Sequence, residues 1–182
     1  MNKLKILLVF AIFISTGFFG TTQSRAVVKS YKYDSIVAKI TVNPDSTFDV
    51  AETQTFNFTG NFHFAFRTIR FSKIDAITDM SVEDVATGQP LVYSATKLDK
   101  EQASSWGRYT TYVEGGLQYI HWYFNLSDTS HSWVIKYKIH GGIEFNKEYD
   151  RLYWNIFNGY DVPIDKVQVY VGLPSGIDIR ET

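Results

Sequence analysis

The sequence predicts an all-β protein, an antiparallel β-sandwich of about ten strands, immunoglobulin-like or jelly-roll-like, preceded by an N-terminal signal helix. Three observations predict it. Beyond residue 26, apolar and polar residues alternate with a period of two. β-Branched and aromatic residues fill those runs, and Gly, Pro, Asn and Asp punctuate them at short intervals. No stretch there carries the spacing of an amphipathic helix. A closed barrel is the alternative arrangement of such strands.

The chain has 182 residues, enough for one domain with a core that needs no covalent staples. Its 14 Phe, 12 Tyr and 4 Trp make it rich in aromatics, and it has no Cys, which removes disulfides, thiolate chemistry and Cys-metal sites. Lys3 and Lys5 open an apolar run from Ile6 to Gly20, followed by a short polar stretch with small Ser24 and Ala26. That pattern reads as a signal peptide over residues 1–26, cleaved after Ala26, because the run falls short of the roughly 20 residues a membrane span needs. The extracytoplasmic β-sandwich domain is then 27–182, and its strand-like ending suggests a C-terminal truncation. Cleavage removes Lys3, Lys5 and Arg25, so 18 basic residues become 15 against 19 acidic ones, a net charge of −4. A mildly acidic, well-mixed chain is a poor match for nucleic acid.

The first hairpin pairs the Ile36–Val42 alternation with Phe48–Phe58 across Asn43-Pro44-Asp45-Ser46, where Pro fixes φ and Asp or Ser bonds back to the chain. Strands are next expected over Phe66–Phe71, Thr78–Val85 and Leu91–Ala95. Thr96–Ser105 reads as a loop with a single helical turn. Arg108–Glu114 and Leu117–Leu126 flank Gly115-Gly116, the signal of a two-residue hairpin. Further strands follow at Trp133–Ile139, Leu152–Ile156 and Val167–Val171. Trp122, Trp133 and Trp154 are the expected core aromatics, with Trp154 and Leu152 packing on Val167, Val169 and Val171.

Glu52 shares a strand face with Phe48, Val50, Phe56 and Phe58, so alternation points its carboxylate inward. A carboxylate buried without a partner costs several kcal/mol, so a cation must meet it. Arg67, alternating with Ile69 and Phe71, is the first choice, and Arg70 the second. We read the group as a structural ion pair joining strands rather than as a catalytic acid. The second constellation is the face of the Gly115-Gly116 hairpin. There Tyr112 opposes Tyr119, Thr110 opposes His121 and Arg108 opposes Tyr123, leaving Ile120, Trp122 and Tyr109 on the other side. A polar and aromatic face of this kind is a ligand-face candidate for sugars or peptides, though ordinary cross-strand aromatic pairing on a solvated sheet is the commoner reason for such a face.

His63, His121, His131 and His140 lack metal-ligand spacing, and no metal or other cofactor is expected. Nor is there a nucleophile elbow or a phosphate-cradling Gly loop. Asp45, Asp49, Asp84 and Asp128 read as solvated turn acids rather than calcium ligands. The triplets at Asn57 and Asn125 lie in or beside strands, where glycosylation is disfavoured.

Three stretches in order resemble a known family: Thr47–Glu52 continuing into Phe56–Phe62, then Phe66-Arg67-Thr68-Ile69-Arg70, then Arg151-Leu152-Tyr153-Trp154-Asn155 with Val167–Pro174 after it. Over residues 30–182 the chain is similar to domain of unknown function 2207, the N-terminal extracytoplasmic domain of predicted bacterial membrane proteins. The resemblance implies a signal peptide, an external β domain and downstream transmembrane segments that are missing from this chain. The family's Glu, Arg and Leu-Tyr-Trp positions map to Glu52, Arg67 and Leu152-Tyr153-Trp154, with no catalytic role attached. The expected protein is therefore an exported, membrane-associated binding domain, at the external face of the cell membrane or secreted, whose partner is an envelope protein or a cell-wall glycan. A glycan-acting hydrolase using Glu52 and a second acid, a carbohydrate-binding module using Glu52 or the hairpin face, and a structural spacer are the alternatives.

Overall fold

A computed structural model describes residues 28–157 and 159–176. The signal helix assigned to residues 1–26 lies outside the described residues. Twelve strands follow in order: β1 (Ser30–Val42), β2 (Phe48–Thr59), β3 (Asn61–Arg70), β4 (Ala76–Asp84), β5 (Gln89–Pro90), β6 (Val92–Ser94), β7 (Arg108–Glu114), β8 (Leu117–Ser127), β9 (Ser130–His140), β10 (Ile143–Glu144), β11 (Arg151–Leu152) and β12 (Val167–Gly172), with one 3-10 turn at Ala103–Ser105. They form a β-sandwich. The larger sheet runs β12-β1-β2-β9-β4-β5, the smaller β3-β8-β7-β6, and β10-β11 is a two-stranded ribbon.

Alternation builds the core. β2 buries every second residue, Phe48, Val50, Glu52, Gln54, Phe56 and Phe58, and β9 does the same with Trp133, Ile135, Tyr137 and Ile139. β8 answers from the facing sheet with Ile120, Trp122 and Phe124. Trp133 sits at the centre, its ring 4.6 Å from Phe124 and 5.6 Å from Phe56. Trp122 and Trp133 are fully buried, as the sequence suggested.

Turn chemistry sets the connections. In the first hairpin Asp45 Oδ1 accepts from the Thr47 hydroxyl and amide, which lets Ser46 hold a positive φ of 68°. Two turns carry the chain from one sheet to the other, β2 to β3 at Gly60 and β8 to β9 at Asp128. They are tied side by side by a bond from Gly60 N to Asp128 Oδ1 at 2.7 Å. Gly60 takes φ +84°, where a side chain is strained.

Two edges depart from antiparallel pairing: β1 with β12, and β6 with β7, are parallel. Parallel neighbours cannot be joined by a tight turn. The chain between β6 and β7 therefore crosses the outer face of the smaller sheet, with Lys97 over the Tyr112 ring, Leu98 bonded to the Tyr123 hydroxyl and Trp106 stacked on His63.

Several expectations are corrected. The strand expected from Phe66 begins at Asn61. The strand expected over Leu152–Ile156 ends at Leu152, because Trp154 and Ile156 turn inward to close the open side of the sandwich. Trp154 is only partly buried, and its ring lies 5.4 Å from Phe48 rather than on the β12 valines. Val167, Val169 and Val171 are 44%, 43% and 53% exposed. They pair with Ile36, Ala38 and Ile40 and so share the core-facing side, but the smaller sheet has fewer strands and does not extend over the β12 edge.

Candidate functional site

Glu52 and Arg67 come from different sheets and meet in the core at 0% and 3% exposure. Arg67 Nε donates to both Glu52 oxygens, at 3.0 and 2.8 Å. Tyr137 donates to Oε1 at 2.6 Å, while Gln54 and Tyr160 donate to Oε2 at 2.9 and 3.2 Å. The guanidinium also donates to the Thr68 and Ile156 carbonyls at 2.8 and 2.7 Å, which brings the segment after β11 into the same network. Burial opposes the charge on Arg67, but Glu52 with Tyr137 and Tyr160 outweighs it, and the guanidinium pKa lies above its ordinary value. Burial first and Glu52 second push Tyr137 and Tyr160 upward, so both hydroxyls stay neutral donors. Arg70, the second choice of partner, is exposed at the end of β3; three positions from Arg67, it projects from the opposite face.

A cleft of about 230 Å³ opens beside this network. Tyr31 and Tyr33 of β1, Phe56 and Phe58 of β2, Phe62, Phe64 and Phe66 of β3, and Tyr160 give it aromatic walls. The rings meet mostly edge to face or tilted, as with Tyr33 on Tyr160 at 5.2 Å and 89°, and Tyr31 on Phe62 at 5.7 Å and 78°. Lys29 and Asp161 supply opposite charges, and the Lys29 ammonium lies 4.3 Å from the centre of the Phe62 ring. Arg67 and Tyr160 line the cleft and Glu52 does not, so the carboxylate stands behind them. Asp161 is the one acid among the described lining residues, so no carboxylate pair of the kind a glycosidase uses faces this space.

The cleft runs along β3, an outer strand of the smaller sheet. In an antiparallel edge strand, every second residue turns its N–H and C=O away from the neighbour. The Thr68 carbonyl, taken by Arg67 Nη1, is one of these, and Phe66 and Phe64 share its orientation. Phe66 is 46% exposed beside them. Sequence reasoning did not single out this cleft, because aromatics at alternate strand positions give the same signal whether they fill a core or wall an opening.

The hairpin face has the anticipated register: Tyr112 opposite Tyr119, Thr110 opposite His121 and Arg108 opposite Tyr123. Gly115 and Gly116 make the turn at φ +58° and +74°. Tyr112 stacks on Tyr119 at 4.9 Å and His121 on Tyr123 at 4.6 Å. The face is not an open concavity. The β6–β7 crossover lies over it, and Thr110 and Tyr123 are buried. Among the described residues no group of three or more His, Cys, Asp and Glu is placed to hold a metal.

The fold and site define a class, an all-β sandwich domain with an aromatic cleft along an edge strand that is unpaired among the described residues. The chain belongs to the family described as the N-terminal domain of a predicted membrane protein (DUF2207), whose signature matches residues 32–181. No helix among the described residues is long and apolar enough to cross a membrane. No curated protein matches the chain. A solved structure described as a putative protease from Parabacteroides distasonis ATCC 8503 aligns over 60% of this chain at 8% identity with a TM-score of 0.32. The chain spans 23% of that structure's length.

Proposed function

We propose that this chain is the exported binding domain of a membrane-associated protein, and that it captures an extended polypeptide segment in the aromatic cleft. The observation that carries this reading is the edge of β3 running along the cleft, unpaired among the described residues, with the backbone groups of Phe64 and Phe66 turned toward it. An added strand gains main-chain hydrogen bonds from such an edge and specificity from side-chain pockets beside it. The cleft is small for a drug-sized ligand, whose pockets hold about 300–1,000 Å³, and it suits one ring or branched side chain. Export follows from the reading of residues 1–26, and an envelope protein is the partner class.

Selection of a random peptide library on the exported domain tests the proposal. Enriched peptides should carry an aromatic or aliphatic residue flanked by β-formers. They should lose binding to Phe66→Asp, which puts a charge at an exposed site without touching the Glu52–Arg67 network. If the library yields no binder and N-acetylglucosamine oligomers bind instead, with the same loss in Phe66→Asp, the ligand is a cell-wall glycan and the peptide reading fails.

A further inference from the structure

A separate feature lies beneath the β6–β7 crossover. Arg108 Nε, Thr110 Oγ1 and His121 Nε2 are all buried, and none has a hydrogen-bond partner among the described residues. They occupy one face: Thr110 is directly opposite His121, and Arg108 is the next same-face position along β7. Thr110 is only 1% exposed. More than nine in ten buried polar groups in folded proteins are paired, so three orphans in adjacent positions mark a place that another group completes.

The chemistry of the three atoms specifies that group. Arg108 Nε carries a proton and has no acceptor capacity. Among the described residues no hydrogen bond or ion pair reaches the half-buried Arg108 side chain. The nearby Lys97 is already paired with Glu114 at 2.9 Å. Burial, and Lys97 after it, lowers His121 to about 4, so at neutral pH the ring is uncharged with a single N–H. Its Nδ1 lies 3.4 Å from the Tyr112 hydroxyl; with that hydroxyl donating, the ring proton sits on Nε2. The Thr110 hydroxyl turns to suit its partner. The constellation therefore presents two N–H donors, one adjustable hydroxyl and the positive charge of a guanidinium.

We propose that Arg108, Thr110 and His121 form a binding site for a small oxyanion, a phosphate or carboxylate group, held between the β7–β8 hairpin and the crossover above it. None of the three residues lines the aromatic cleft, although Phe64 and Phe66 of the cleft wall pack on the His121 ring at 5.0 and 6.2 Å. Guanidinium supplies the charge-assisted bond, and the two neutral donors fix the orientation.

The experiment is a titration of the full chain with inorganic phosphate and with sodium acetate, each against sodium chloride at matched ionic strength. It is read by the thermal midpoint and by the His121 ring-proton resonance. A saturable rise in midpoint over chloride, with a moving His121 signal, is the expected result. A response to phosphate alone identifies a phosphoryl ligand, and to acetate alone a carboxylate. Arg108→Gln should weaken binding about tenfold or more, since hydrogen bonds to charged groups exceed neutral ones by that order. Thr110→Val, which keeps the side-chain shape, should weaken it less. Near-UV circular dichroism establishes that both variants fold. Equal midpoints in phosphate, acetate and chloride overturn the site. So does unchanged binding in both variants, or a crystal grown in phosphate with only water on the three atoms.

Discussion

Arg67 and Tyr137 reach the same carboxylate oxygen from opposite sheets: Arg67 Nε donates to Glu52 Oε1 at 3.0 Å and Tyr137 Oη at 2.6 Å. The contact joins β3 to β2 and β9, and through Ile156 it holds the closing segment as well. Such a group specifies how the sheets meet more than it adds net stability, because desolvating both charges offsets much of their attraction.

Removing one partner should expose that balance. Arg67→Met leaves Glu52 buried without its cation and is expected to destabilise the domain by about 3–5 kcal/mol. The Glu52→Leu/Arg67→Met pair should recover most of the loss. Urea denaturation of the two variants and the parent checks this; a double variant no more stable than Arg67→Met contradicts it.

The centre and the edge of the larger sheet should respond unequally to truncation. Ile135→Ala empties a fully buried position and is expected to cost about 2–5 kcal/mol. Val169→Ala on β12 removes a half-exposed side chain and should stay within about 0.5 kcal/mol. Thermal or urea midpoints of the two variants decide it.

His121 makes stability pH-dependent in a defined direction. Its folded pKa is lowered to about 4 from 6.5 by burial, so the unfolded chain takes up the proton first as pH falls. The contribution is whole above pH 6.5, is lost progressively down to about 4, and is flat below that. His121→Asn should show a shallower decline of the urea midpoint than the parent between these values. Titration of the ring proton by NMR should place its midpoint near the lower one.

Gly142 is held by space and not by backbone angle. A Cβ there would come within 2.6 Å of the Phe48 ring, whereas one at Gly88 would meet nothing within 4 Å. Gly142→Ala should therefore cost about 1–3 kcal/mol through overpacking. Gly88→Ala, with its positive φ as the only penalty, should cost about 1 kcal/mol.

The parts of this fold legible in the sequence are those governed by local rules. The β1–β2 and β7–β8 hairpins follow from Asn43–Ser46 and Gly115-Gly116 together with strict alternation. Glu52 stood out because a charged residue interrupts a run of inward apolar positions, and β3 offered few cations with the right parity. What escaped depends on which strands neighbour one another. The exposure of Val167, Val169 and Val171 follows from the smaller sheet having fewer strands, and no local pattern encodes that. The cleft along β3 and the covering of the hairpin face arise for the same reason: one is an edge without a neighbour, the other a connection between parallel strands.

The parallel pairing of β1 with β12 also bears on the order of assembly. Ile36 and Val167 are partners separated by most of the domain's length, so β1 keeps one bare flank until the chain through Gly172 is available. The β7–β8 hairpin and the β8–β9 turn assemble from short-range contacts and can form early, while closure by β12 carries the largest loop-closure entropy. A chain that becomes available from its amino end would thus leave one flank of β1 open until the residues of β12 follow, long after β2 has paired on the other flank.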